Sequence, residues 1–248
     1  FNTDIGENDN LTVLAGFTIQ KSELESSFSR SFGLSNDNTG YNNMSFGADP
    51  SRNALGSNYN SFQLVSWLGR VNYSLNDKYL FTLVGRMDGS SRFAPGNKYA
   101  LFPSGAVAWK LSEEEFVKNL GVFNNLKLRA SYGLSGSQAI PSFRTLALLT
   151  TSNTSFNAVE NPGVNLGRPE NPDLKWETTK QLDIGLEMGF LDNRLSVEID
   201  YYKKKTQDLL LDAQLPRQTG FVSKLKNIGN IENTGLELLI NSINVSND

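Results

Sequence analysis

The sequence predicts an all-β chain: an antiparallel, up-and-down section of a transmembrane β-barrel, about eight strands long. Three observations carry this. Apolar and polar residues alternate with a period of two in segment after segment. The connections between those segments alternate between long and short, as they do in outer-membrane barrels. Aromatic residues gather near the short-turn ends, where a membrane interface would lie.

The alternation is plainest from Gln181 to Met188, where Leu182, Ile184, Leu186 and Met188 share one face and Gln181, Asp183 and Glu187 the other. Leu195, Val197, Ile199 and Tyr201 likewise oppose Ser196, Glu198, Asp200 and Tyr202, and Leu126, Leu128, Ala130 and Tyr132 oppose Lys127, Arg129 and Ser131. Weaker copies run over 11–19, 67–73, 81–88, 105–109 and 234–241. The tight turns fall at 75–78 and 191–194, and a compact turn at 111–125. Residues 20–60, 135–173 and 207–227 read as long loops.

Tyr73, Tyr79, Trp109 and Phe190 stand at the short-turn rim as candidates for an aromatic girdle. Ser112, followed three residues later by Glu115, forms a capping-box pattern, so a helical turn is expected to start there. The run Glu113-Glu114-Glu115 reads as its solvated start, because it lacks the spaced oxygen ligands and glycine of a calcium loop.

Composition limits the chemistry. The 248 residues contain no histidine and no cysteine, which removes Ser-His-Asp and Cys-His nucleophiles and the usual zinc ligands. A net charge of −3 gives no basic surface for nucleic acid. No apolar run is long enough to span a bilayer as a helix, whereas a barrel strand shows lipid only every second residue and can be polar on average. Glu198 and Asp200 share a strand face at about glycosidase spacing, but alternate polar residues are what a water-filled lumen demands. No enzyme, metal or cofactor is expected. Arg86, Asp88 and Arg92 read as a lumenal polar cluster at the upper end of a strand, with Arg86 and Asp88 on one face. In the loops, Tyr41, Asn42, Phe46, Phe143 and Phe156 have the chemistry to stack on sugar rings or hold peptide side chains.

Several ordered motifs add a resemblance. Gly69-Arg70-Val71-Asn72-Tyr73-Ser74-Leu75-Asn76-Asp77-Lys78-Tyr79-Leu80, then Arg86 to Phe93, Phe102-Pro103-Ser104, Leu126 to Gly133, Asn171-Pro172-Asp173-Leu174-Lys175-Trp176-Glu177 and Asn227 to Glu237 resemble the barrel of SusC/RagA-type TonB-linked outer-membrane transporters. The resemblance implies an open curved sheet, one part of a barrel domain of about 22 strands. It also implies a nutrient importer of oligosaccharides or peptides in the outer membrane of a Gram-negative bacterium of the Bacteroidota. Its expected partners are a SusD-like surface lipoprotein, outer-membrane lipid, and TonB through N-terminal parts; no plug domain or signal peptide is recognised in residues 1–248. From the residues alone, a complete eight-stranded anchor or adhesin barrel and a soluble carbohydrate-binding β-sandwich stay open.

Overall fold

The computed structural model describes residues 1–6, 8–36, 38, 40–157 and 159–244. Its strands are β1 (Asn2–Asp4), β2 (Asn10–Arg30), β3 (Ala54–Leu75), β4 (Tyr79–Ser90), β5 (Tyr99–Lys110), β6 (Asn125–Ser137), β7 (Leu148–Phe156), β8 (Val159–Arg168), β9 (Glu177–Phe190), β10 (Leu195–Gln207), β11 (Leu210–Gln214), β12 (Ser223–Asn227) and β13 (Asn230–Ser242). Nine of them form one sheet in the order β1-β2-β3-β4-β5-β6-β9-β10-β13, while β7-β8 and β11-β12 form separate two-stranded sheets. All eight strands expected from the sequence are present; β1 and the two hairpins are additional.

The sheet is open, with β1 and β13 at its two ends. The strands holding Leu11 and Leu236 are not neighbours, so the chain is not a closed eight-stranded barrel. The nine strands make one sheet rather than the two facing sheets of a sandwich.

Register explains the two faces. One row across seven strands reads Tyr73, Phe81, Val107, Ala130, Ile184, Tyr201 and Leu236. The row one residue away reads Asn72, Thr82, Ala106, Ser131, Asp183, Tyr202 and Gly235. Because side chains alternate, the first row belongs to an apolar face and the second to a polar face. The apolar face is open to the surroundings: Leu83 is 66 % exposed and Leu236 72 %. In a membrane barrel this face meets lipid.

The tight turns are fixed by residues that tolerate positive φ. Asn76 and Asp77 sit at φ 52° and 54° between β3 and β4, closed by the Lys78 N–H donating to the Leu75 carbonyl at 3.0 Å. Asp192 and Asn193, at φ 55° and 59°, do the same between β9 and β10, where Leu191 also takes a positive φ of 53° and accepts the Arg194 N–H at 3.0 Å. The capping-box expectation needs correction. A 3-10 turn over Leu111–Glu113 precedes the helical turn α1 (Glu115–Lys118), whose N-cap is Glu114, so the helix starts two residues later than a cap at Ser112 suggests. Glu114 is drawn away by partners outside its own turn, described below.

The three segments read as long loops contain strands. Residues 135–173 hold the β7-β8 hairpin and 207–227 the β11-β12 hairpin. Residues 20–60 hold the C-terminal part of β2 and the N-terminal part of β3, joined through 3-10 turns Gly40–Asn42, Met44–Phe46 and Pro50–Arg52. Most of this last segment is a compact unit of its own, Gln20–Gln63, the other unit being 1–19 with 64–248. Within the smaller unit, Tyr59 donates to Glu23 at 3.0 Å and Lys21 pairs with Glu23 at 2.8 Å.

A small apolar core lies in the larger unit: Leu174 is 0 % exposed, Phe93 1 %, Ile140 2 %, and Trp176 and Phe102 6 % each. Leu64, Ala100, Leu134, Leu210 and Leu225 pack against it. It thus joins the β4-β5 loop, the segments after β6 and before β9, and the β11-β12 hairpin.

Candidate functional site: a polar wall and the loops fastened above it

The polar face carries a charge network centred on Arg129 of β6. Its guanidinium Nη2 donates to Glu198 Oε1 and, at 2.8 Å, to Asp200 Oδ2, both on β10. Its Nε lies 3.1 Å from Glu187 on β9, which also takes Lys127 Nζ at 3.2 Å. To reach β10, Arg129 must cross β9, and the residue opposite both Arg129 and Asp200 is Gly185. A Cβ there would stand 2.6 Å from Arg129 Nε and would also meet Asp200 Oδ1, so a larger residue would push these side chains out of their present positions. Glu198 and Asp200 are therefore ion-pair partners of one arginine rather than an acid and base flanking a substrate.

Arg86 and Asp88 meet as their shared face requires. Arg86 Nε donates to both carboxylate oxygens of Asp88 at 2.8 and 2.9 Å, and Arg86 Nη2 donates to Ser66 Oγ at 3.1 Å. Arg92 takes a different place: its Nη1 donates to the Gln138 carbonyl at 3.0 Å, fastening the β4-β5 loop to the segment after β6. Arg86, Asp88, Gln138 and Trp176 border an open recess of about 380 Å³. Asp88 is the more buried partner, with 11 % of its side chain exposed against 44 % for Arg86. Replacing Asp88 by asparagine is expected to destabilise this strand end by about 1 to 2 kcal/mol, discounted for the exposed guanidinium. Faster amide exchange at Ser90, whose N–H donates to Lys98, would register it; unchanged exchange and assembly yield would leave the pair as ordinary solvated lumen residues.

The loops above are fastened by the segment Asn171–Glu177, whose structural part the sequence did not disclose. Trp176 Nε1 donates to the Lys98 carbonyl at 3.0 Å, Asn171 Nδ2 to the Leu225 carbonyl at 2.5 Å, and Glu177 accepts the Leu210 N–H at 2.8 Å. Asn227 clamps Lys175 in both directions, accepting its N–H at 3.0 Å and donating to its carbonyl at 2.8 Å. Within the segment Asn171, Leu174 and Trp176 are buried, and the side-chain nitrogens of Asn171 and Trp176 are hydrogen-bonded. The signal in the sequence was the motif Asn171-Pro172-Asp173-Leu174-Lys175-Trp176-Glu177 itself, whose fastening contacts no periodicity reveals.

The ligand candidates belong to both units. Tyr41 and Phe46, in 3-10 turns of the smaller unit, are 86 % and 64 % exposed, and Asn42 is exposed beside Tyr41. Phe143 is half exposed at φ 63°, and its carbonyl accepts from Arg168. Phe156 closes β7, and its side chain lies outside the described residues. Among the described residues no group of three or more acidic side chains is placed to hold a metal ion.

At the other end, the four expected girdle aromatics all lie on the apolar face. Tyr79 and Trp109 stack with centroids 5.9 Å apart, and Phe190 packs on Phe123 at 5.2 Å. Two carboxylates hold the rim. Glu114 accepts from Lys78 Nζ at 3.1 Å, Tyr79 OH at 2.9 Å and Trp109 Nε1 at 3.1 Å; Asp9 accepts from Tyr73 OH and the Asn76 N–H, both at 2.8 Å. The bonds from Lys78, Tyr79 and Trp109 hold the Glu114 carboxyl below its ordinary 4.5. Those from the Asn76 N–H and Tyr73 lower Asp9 from 3.8. A depressed carboxylate pKa stabilises the fold above the ordinary value and loses that contribution as pH falls through the lowered one. The rim contacts are therefore expected to release in acid, below pH 4.5 for Glu114. Intrinsic fluorescence should follow the release, and an acid transition undiminished in Glu114→Gln would disprove the assignment to Glu114.

A sheet with one apolar face, one ion-paired polar face, short turns at one end and structured loops at the other is the wall of an outer-membrane β-barrel. The family model described as TonB dependent receptor-like, beta-barrel matches residues 2–246, and the chain belongs to that family. It is 52 % identical over its whole length to TonB-dependent receptor P26 of Formosa agariphila, covering 25 % of that protein. With TonB-dependent receptor SusC of Bacteroides thetaiotaomicron it shares 42 % identity over 72 % of this chain and 18 % of SusC. Its fold matches the RagAB peptide importer in the closed-closed state with a TM-score of 0.88, at 29 % identity, covering 100 % of this chain and 27 % of the other. The chain thus spans about a quarter of the length of the curated relatives it matches first. The family is one of outer-membrane receptors, and no enzyme family is indicated.

Proposed function

We propose that this chain is wall and loop scaffold of an importer that takes oligosaccharides or peptides across the outer membrane, working with a SusD-like surface lipoprotein and driven through TonB. The observation that carries the reading is the division of one sheet into a lipid face and a lumenal face whose charges, around Arg129, are paired along the wall. Such a wall stays hydrated without offering a strong fixed charge to trap cargo. Membership of the TonB-dependent receptor family supports energised uptake, and the likeness to RagAB supports a two-component assembly and a peptide as one of the two cargo classes. Tyr41, Asn42, Phe46, Phe143 and Phe156 are the loop residues proposed to meet cargo, with Arg86, Asp88 and Arg92 shaping the upper lumen. The test uses the full-length protein in its own cell. Deletion should abolish uptake of one labelled oligosaccharide or peptide class, loss of TonB should do the same, and affinity purification should recover a lipoprotein. Uptake indifferent to TonB would refute the reading.

A further inference from the structure

We infer that the β5-β6 turn, Leu111 to Asn124, is an interfacial anchor that seats Phe116, Leu120 and Val122 in the headgroup and acyl boundary of the phospholipid leaflet at the short-turn rim. The inference rests only on the outer-membrane placement of the family, not on the cargo. A turn that merely joined two strands would need few residues and no large apolar ones. This one exposes Phe116 by 61 %, Leu120 by 60 % and Val122 by 54 %, while Val117 is buried at 4 %.

The turn is fastened to the lipid-facing side at both ends. At its start, Glu114 accepts from Tyr79 OH and Trp109 Nε1, which belong to outward-facing side chains. At its end, the Phe123 ring packs 5.2 Å from Phe190, the last outward residue of β9. The exposed apolar residues therefore continue the lipid-facing band past its aromatic rim, where amphipathic side chains find both hydrocarbon and water. Charge supports lipid over a charged protein partner. Lys78, Lys110 and Lys118 balance Glu113, Glu114 and Glu115, and Lys118 pairs with Glu113 at 2.8 Å. Insertion then depends on apolar burial and not on anionic headgroups.

The test uses the full-length transporter in a cysteine-free background, reconstituted in phosphatidylethanolamine bilayers with and without phosphatidylglycerol. Nitroxide labels are placed through Phe116→Cys and Leu120→Cys, with Val122→Cys in reserve should either fail to assemble. Leu83→Cys marks the lipid-facing wall and Glu115→Cys the aqueous side. Oxygen should reach the labels at 116 and 120 in preference to a water-soluble nickel chelate. Their depth should be about 5 to 10 Å, shallower than the label at 83, and the same in both lipid mixtures. Nickel access equal to that at 115 would place the turn in water and overturn the inference. Protection from both reagents, which marks cover by protein or a second copy, would also overturn it, as would insertion seen only with phosphatidylglycerol.

Discussion

Replacing Trp176 by alanine in the full-length protein is expected to cost about 3 to 5 kcal/mol locally, the range for removing a large aromatic from a packed core. Trp176 touches Phe93 at 5.3 Å and Phe102 at 5.6 Å between ring centroids, and its indole N–H holds the Lys98 carbonyl. Truncation would empty the centre of the core and leave that carbonyl with the Ser90 N–H as its remaining donor. The Phe102 ring lies over Gly136, in the space that a Cβ there would occupy. The loss should fall on the loops rather than on the strands, whose ladders are independent of it. Amide exchange in residues 90–98 and 138–145 should rise towards solvent rates while the exchange of β9 and β10 stays slow. Equal protection in loops and strands would show that these loops are held by something other than the Trp176 core.

The second large effect concerns sidedness. Ile184→Arg is expected to cost about 2 to 4 kcal/mol in a bilayer, the penalty for a cation on the lipid face near the midplane. Ile184 is 42 % exposed on the apolar face, between Ala130 and Tyr201 in register, so the arginine would have no anionic neighbour in its row. Asp183→Arg is expected to be much milder. Its side chain points to the lumenal face, where it meets Ser131 and Gln181, and water can solvate a replacement. Urea titration of both variants folded into lipid vesicles would compare them. A costlier Asp183→Arg would reverse the assignment of faces.

How much was legible in the sequence follows from where a period of two survives. It survives in Leu182 to Met188 and Leu195 to Tyr202, because lipid on one side and water on the other force the alternation. It fails in the C-terminal part of β2, Gln20 to Arg30, where polar residues occupy both faces and only Leu24 and Phe28 interrupt them. It fails also in β7, whose central residues are threonine, serine and asparagine, and in β8, which contains Pro162 and two glycines. Those segments have strand geometry without an apolar side, and they read as loops.

The sequence by itself determined the antiparallel class, the apolar side of the sheet, the shared face of the rim aromatics and that of Arg86 with Asp88, since each depends on neighbours two residues apart or on turn chemistry. Only the tertiary structure decided that Arg129 reaches Asp200 over Gly185, that the Glu114 side chain serves Lys78, Tyr79 and Trp109 from the N-cap position, and that Asn171 to Glu177 fastens the β4-β5 loop and the β11-β12 hairpin. Apart from the bond between Trp109 and Glu114, these contacts join residues tens of positions apart, and their existence depends on strand order and register. An alternating pattern fixes the face of a side chain but not the strand that lies beside it.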